Sequence, residues 1–187
     1  MEAFLVSTGI VALAEMGDKT QLLSLVLAAR FRKPWPIVLG ILAATLANHA
    51  LAGAAGAWVT TLLGPQMLRW LLGASFVAMA AWMVVPDKLD EDGDAKAPRF
   101  GVFGTTLVAF FLAEMGDKTQ VATVMLAARY STWASVVMGT TLGMMIANVP
   151  VVWFGERVTR RVPIRLVHLV SAAIFAALGA GALLTSA

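Results

Sequence analysis

The chain contains no cysteine, one tyrosine and two histidines in 187 residues. Without cysteine there are no disulfides, thiolate metal ligands or cysteine nucleophiles. With so few histidines, the sulfur and nitrogen donors of a typical Zn²⁺ site are too scarce. Charge is scarce as well: Asp, Glu, Lys and Arg make up 13% of the residues, against roughly 25% in soluble domains. The net charge is +3, but the basic residues fall in short clusters beside apolar segments. That pattern encodes membrane topology and gives no reason to expect nucleic-acid binding. The first residues, Met1 and Glu2, supply no basic n-region, and the apolar run continues past Thr20 to Ala29. No cleavable signal peptide is expected there.

Apolar residues dominate instead. They form 59% of the chain, and the mean hydropathy is +0.81. Several stretches exceed the ~18 apolar residues that suggest a membrane span. The expected fold is all-α and integral to the membrane, in one compact domain of six transmembrane helices. They run from about Phe4 to Ala29, Trp35 to Leu63, Gln66 to Val85, Val102 to Ala128, Trp133 to Phe154 and Ile164 to Leu184.

Residues Ala14 to Arg30 read AEMGDKTQLLSLVLAAR, and Ala113 to Arg129 read AEMGDKTQVATVMLAAR. Twelve of these seventeen positions are identical at an offset of 99 residues, so the chain is a duplication. Gly40 matches Gly139, and Ala47-Asn48 matches Ala147-Asn148 with one residue of slippage. Residues 1–85 make a first three-helix repeat, 86–100 an acidic cytoplasmic linker and 101–187 a second repeat. Three helices is an odd number, so the second repeat enters the membrane from the opposite side, as in many secondary transporters. Ten basic residues lie between helices one and two, three and four, and five and six; Arg69 and Arg129 lie on the other side. The positive-inside rule places the ten in the cytoplasm and both termini outward. The linker carries Asp87, Asp90, Glu91, Asp92 and Asp94, but their spacing is not that of a calcium-binding EF-hand loop.

What survives best in both copies is a charged string in mid-span, and charge at such depth is expensive and usually functional. In a continuous helix, residues three and four apart share a face. Glu15 would then align with Asp18 and Lys19, and Glu114 with Asp117 and Lys118. Each Lys is expected to neutralise its own Glu and to exchange with the opposite repeat during a cycle. Gly17 and Gly116 stand between the carboxylates, where glycine permits local unwinding. Brought together at mid-membrane, four carboxylates and two ammonium groups carry a formal charge of −2. Such a pocket suits one divalent cation on oxygen donors: Mg²⁺, Ca²⁺ or Mn²⁺. The candidate ligands are Glu15, Asp18, Glu114, Asp117, Gln21 and Gln120. Lys19, Lys118, Thr20, Thr119, Asn48, Asn148, Ser24 and Thr123 are supporting polar groups. Once the metal leaves, the carboxylates repel one another at low dielectric and protons replace it. Competition of metal and protons for the same oxygens, with alternating access, is antiport.

The two strings resemble the signature of the Gdt-type cation/proton antiporter family, a duplicated E-x-G-D-[KR]-[ST] motif on the first and fourth of six helices. Glu15-Met16-Gly17-Asp18-Lys19-Thr20 and Glu114-Met115-Gly116-Asp117-Lys118-Thr119 match it at every defined position. The resemblance covers essentially the whole chain. It implies export of Mn²⁺ from the cytoplasm in exchange for protons across a bacterial inner membrane, with Ca²⁺ as the alternative cargo. It also implies metal binding by Glu15, Asp18, Glu114 and Asp117. No cofactor is expected beyond the transported ion, and the partners are that ion, protons and the lipid bilayer. An intramembrane enzyme built on paired carboxylates and a non-transporting scaffold are the rival classes. Of the two histidines, His49 adjoins Asn48 but has Val149 at the matching place, and His168 is expected at the membrane interface.

Overall fold

The computed structural model describes residues 1–83, 100–130, 132–155 and 164–184. Among these residues there are eight helices and no strand. They are α1 (Glu2–Glu15), α2 (Lys19–Phe31), α3 (Pro34–Leu62), α4 (Pro65–Met83), α5 (Gly101–Glu114), α6 (Lys118–Arg129), α7 (Trp133–Phe154) and α8 (Ile164–Leu184). Three of them, α3, α7 and α8, are long and apolar enough to cross a membrane. The acidic linker expected at 86–100 falls almost wholly outside the described residues, as do the basic residues between Gly155 and Ile164.

The two motif-bearing helices are not continuous, which corrects the expectation of unbroken spans from Phe4 to Ala29 and Val102 to Ala128. Each is interrupted within the repeated string. Gly17 has φ 86° and Gly116 φ 75°, a left-handed conformation that glycine adopts without steric penalty. The flanking residues match in the two copies. Met16 and Met115 are extended at φ/ψ −66°/114° and −64°/120°, and Asp18 and Asp117 at −80°/167° and −79°/167°. The pieces are 12 to 14 residues long. At ~1.5 Å per residue, none reaches the ~30 Å of a hydrocarbon core alone.

Local sequence explains the other ends. Pro34 and Pro36 sit in the first turn of α3, where a missing N–H costs nothing. The turn between α2 and α3 is made by Arg32 in the left-handed region. Gly155, at φ 59°, closes α7. Pro150 lies inside α7 and removes the amide that would bond the Ile146 carbonyl, loosening that turn.

Packing follows the duplication. α1 lies chiefly on α7, and α5 on α3. α3 also packs on α6 and α7, and α2 on α7. Close approaches depend on small residues. A Cβ at Gly40 would stand 2.9 Å from the Phe103 carbonyl oxygen and one at Gly139 2.5 Å from that of Phe4, while one at Gly56 would overlap that of Val124. These contacts set direction: α3 runs alongside α5–α6 in the same sense, and α7 alongside α1–α2. The Tyr130 hydroxyl, just past α6, donates to Glu2 at the start of α1 over 3.3 Å. The two broken helices therefore run antiparallel.

Two apolar cores flank the breaks. One gathers Leu27 of α2, Ile37 and Ile41 of α3, Phe110 of α5 and Val152 of α7. The other joins Ile10 of α1 and Leu126 of α6 to Phe76 and Met79 of α4 and Phe175 of α8. α4 and α8 pack antiparallel on each other through Gly73 and Gly179. As a pair they lean chiefly on α1 and α6.

Candidate metal site

The breaks deliver the charged string to the protein interior. Glu15 and Glu114 close α1 and α5 with no exposure, and Asp18 and Asp117, 2% and 4% exposed, sit at the N-caps of α2 and α6. Oxygens of Glu15, Glu114 and Asp117 all lie within 4.8 Å of one another. Asp18 is buried nearby in sequence but stands outside that set.

Each of the three clustered carboxylates has one oxygen engaged and one without a hydrogen-bond partner. Thr20 Oγ1 donates to Glu15 Oε2, leaving Oε1. Thr119 Oγ1 donates to Glu114 Oε2 over 3.0 Å, leaving Oε1. Lys19 Nζ pairs with Asp117 Oδ1 at 3.0 Å, leaving Oδ2. Buried polar atoms are otherwise almost always satisfied, so one orphaned oxygen on each of three clustered carboxylates needs an explanation. A cation would supply it. Calcium-type oxygen ligands lie about 2.3–2.6 Å from the metal, so oxygens within 4.8 Å of one another are close enough to share one ion. Three carboxylates and one ammonium also leave a formal −2.

The Lys19–Asp117 bond corrects the expected pairing of Lys19 with Glu15. That pairing assumed a continuous helix between them, and the break at Gly17 removes the four-residue register. Glu15 and Asp18 fail to share a face for the same reason. Lys19 instead crosses to the other repeat. Lys118 is 2% exposed, while the Lys19 side chain retains 34%.

The two glutamines serve the breaks. Gln21 Oε1 accepts the Gly17 amide at 2.9 Å, and Gln120 Oε1 accepts the Gly116 amide at 2.7 Å. This is the reach-back of an N3 residue in a capping box, extended by one position. Their amides then tie the repeats together. Gln21 Nε2 donates to the Ala147 carbonyl of α7 over 2.9 Å, in the turn loosened by Pro150. Gln120 Nε2 donates to Asn48 Oδ1 of α3 over 3.2 Å.

Asn48 Nδ2 in turn holds the Phe111 carbonyl at 2.9 Å, and Ser24 Oγ donates to Asn148 Oδ1 over 2.8 Å. Asn148 Nδ2 returns to Met144 O of its own helix at 3.1 Å. Thr123 spends its hydroxyl on the Thr119 carbonyl at 2.7 Å. The polar residues thus divide into those that brace the carboxylates (Thr20, Thr119, Lys19) and those that brace the backbone around them. The bracing role of the threonines had a signal in the sequence, a hydroxyl fixed five residues after each Glu, but its geometry depends on the break. His49 is fully buried, and neither ring nitrogen has a hydrogen-bond partner.

The family model for "Divalent cation/proton antiporter GDT1" matches residues 3–91 and 102–187. A Vibrio cholerae protein named "Putative manganese exporter" is 51% identical over 176 residues, covering 94% of this chain and 87% of the relative. A GDT1-like protein of Synechocystis is 28% identical over 193 residues, covering 94% of this chain and 93% of its own length. No solved structure matches the chain. With the motifs intact and both halves covered, the chain belongs to the GDT1 family of divalent cation/proton antiporters.

Proposed function

We propose that this protein exports Mn²⁺ from the cytoplasm in exchange for protons, binding the metal between the two repeats. The observation that carries the reading is the trio of orphaned oxygens on Glu15, Glu114 and Asp117. They are hard donors on three carboxylates that come within 4.8 Å of one another, which suits Mn²⁺ or Ca²⁺ and disfavours soft metals. The name of the Vibrio cholerae relative favours Mn²⁺; Ca²⁺ is the alternative cargo.

In the proposed cycle the cation takes the three oxygens and Asp18 completes the acidic lining. When it leaves, protons take its place, because unshielded carboxylates this close repel one another at low dielectric. Lys19 competes with the metal for Asp117. Its swing between repeats would then couple site occupancy to the relative position of α2 and α6.

The architecture proposed for this cycle has six spans in two inverted three-helix repeats, each motif span being a pair of half-helices. It is supported by the duplicated string, by the matching backbone at both breaks and by the antiparallel course of α1–α2 and α5–α6. Ten basic residues against two favour both termini outward, and the Vibrio cholerae relative favours a bacterial inner membrane.

The test is uptake of radioactive manganese into inverted membrane vesicles under an imposed pH gradient. Wild type should accumulate the metal only with the gradient, and Glu15→Gln and Asp117→Asn should not accumulate it. Gradient-independent uptake, or full activity in both variants, would reject the reading. Competition by excess Ca²⁺ against Mn²⁺ decides between the two cargoes.

A further inference from the structure

Apart from the two motif lysines and the three basic clusters, the chain has two basic residues, Arg69 and Arg129. They are sixty positions apart, yet both line one groove of about 310 Å³ between α4, the end of α6 and the end of α8. The remaining wall is apolar: Pro65, Leu68, Leu72 and Ala182 among others. A second groove of about 260 Å³ shares Leu68, Ala128 and Arg129 and continues toward α3 and α7.

We propose that this groove binds the phosphate headgroup of an anionic phospholipid, with acyl chain against Leu68, Leu72 and Ala182. An anion in a groove bordered by two guanidinium groups is attracted by both, and the apolar wall beside them limits screening. Guanidinium is the side chain best matched to phosphate, through parallel N–H donors. Arg129 makes no ion pair among the described residues, and its guanidinium lies 5.8 Å from the Tyr130 ring. Arg69 lies 5.6 Å from the Trp70 ring. Aromatic and arginine side chains side by side are the usual furniture of the headgroup layer.

Helix ends favour the same charge. Pro65 and Leu68 belong to the first turn of α4, whose positive dipole end faces an anion favourably, while the negative end of α6 is covered by Arg129 in its last turn. One acidic residue is close. Glu2 accepts from Tyr130, which also lines the second groove, so the headgroup belongs at the α4–α8 side, away from α1.

Such a lipid would bridge α4, α6 and α8 next to the Gly73–Leu183 crossing. These are the elements that share the core with α1.

The experiment uses the full chain in detergent and follows thermal unfolding while phosphatidylglycerol, phosphatidylethanolamine or inorganic phosphate is added. Phosphatidylglycerol should raise Tm saturably; the other two should not. Each arginine replaced by Gln should weaken the apparent affinity on the order of fivefold, and Arg69→Lys with Arg129→Lys should retain part of the effect. Arg30→Gln, at the matching place of the first repeat, should respond as wild type. A full response in the double Gln variant overturns the proposal, as does an equal loss in Arg30→Gln. An equal shift with inorganic phosphate alone also overturns it, since it marks a free-anion site. Should the double variant fail to fold, the exposed Arg129→Gln alone, with lipid retention read by native mass spectrometry, gives the same decision.

Discussion

The same eight-residue string, AEMGDKTQ, is set in two different surroundings. In the first copy, Lys19 keeps a third of its side chain exposed and reaches across to Asp117; in the second, Lys118 is buried. In the first copy, the cap between Gln21 and Gly17 is partly buried and anchored to α7; in the second, the cap between Gln120 and Gly116 is exposed and anchored to Asn48 of α3. Backbone angles at the two breaks agree within about ten degrees, so local sequence dictates the break. Partners beyond the string dictate how its side chains are used. A duplicated motif therefore specifies one shape twice without specifying one role twice.

The largest test of this comparison is at the glutamates, which are the most alike. Glu15→Gln and Glu114→Gln should each lower manganese transport by more than about 100-fold, because even residues that only orient metal ligands are worth 10–100-fold. A large difference between the two variants in the vesicle assay would break the equivalence of the two copies at the site itself.

The lysines should separate. Lys118→Gln is expected to destabilise the fold by about 3 kcal/mol, as loss of a buried charge from its setting does. Lys19→Gln should cost about 1 kcal/mol or less, as for a partly exposed pair. Denaturant unfolding in detergent measures both, and equal losses would show that exposure does not govern the difference.

A smaller effect tests the breaks. A Cβ at Gly116 meets nothing within 4 Å, so Gly116→Ala isolates the left-handed backbone and should cost about 1–2 kcal/mol. Gly116→Asn should recover part of it, since Asn tolerates that region. If Ala and Asn behave alike in thermal unfolding, the strain argument fails.

The smallest effect concerns the caps. Gln21→Ala and Gln120→Ala each remove an acceptor for a glycine amide, worth about 1 kcal/mol. The partly buried Gln21 should exceed the exposed Gln120 by a few tenths; a reversed order in Tm would point to the Asn48 anchor as the stronger of the two.

Much of this was legible beforehand. Hydrophobic run length placed the long helices, and repetition marked the charged string. The glycine between two carboxylates showed where a helix could open. What periodicity could not supply was the consequence of that opening. Treating Ala14 to Arg30 as one helix aligned Glu15 with Lys19, when the break sends Lys19 to Asp117, ninety-eight positions away. The glutamines read as metal ligands because they are polar and near; the structure employs their oxygens first as caps for the glycine amides. The convergence of Glu15, Glu114 and Asp117 needed only the assumption that the repeats meet. Asp18 standing outside the trio depends on packing between α2 and its neighbours, which no local pattern encodes.

The lean of α4 and α8 onto α1 and α6 bears on timing. In the proposed cycle, an apolar seam shared by one pair of half-helices and not the other would make the two exposures of the central site unequal in free energy. Every ~1.4 kcal/mol of that inequality is a tenfold bias in resting population. A carrier biased in this way would idle with one door shut, and cation arrival would have to supply the difference before the site could turn. The unequal seam would act as a latch against futile cycling, set by Phe76, Phe175 and their neighbours at a distance from the charged oxygens themselves.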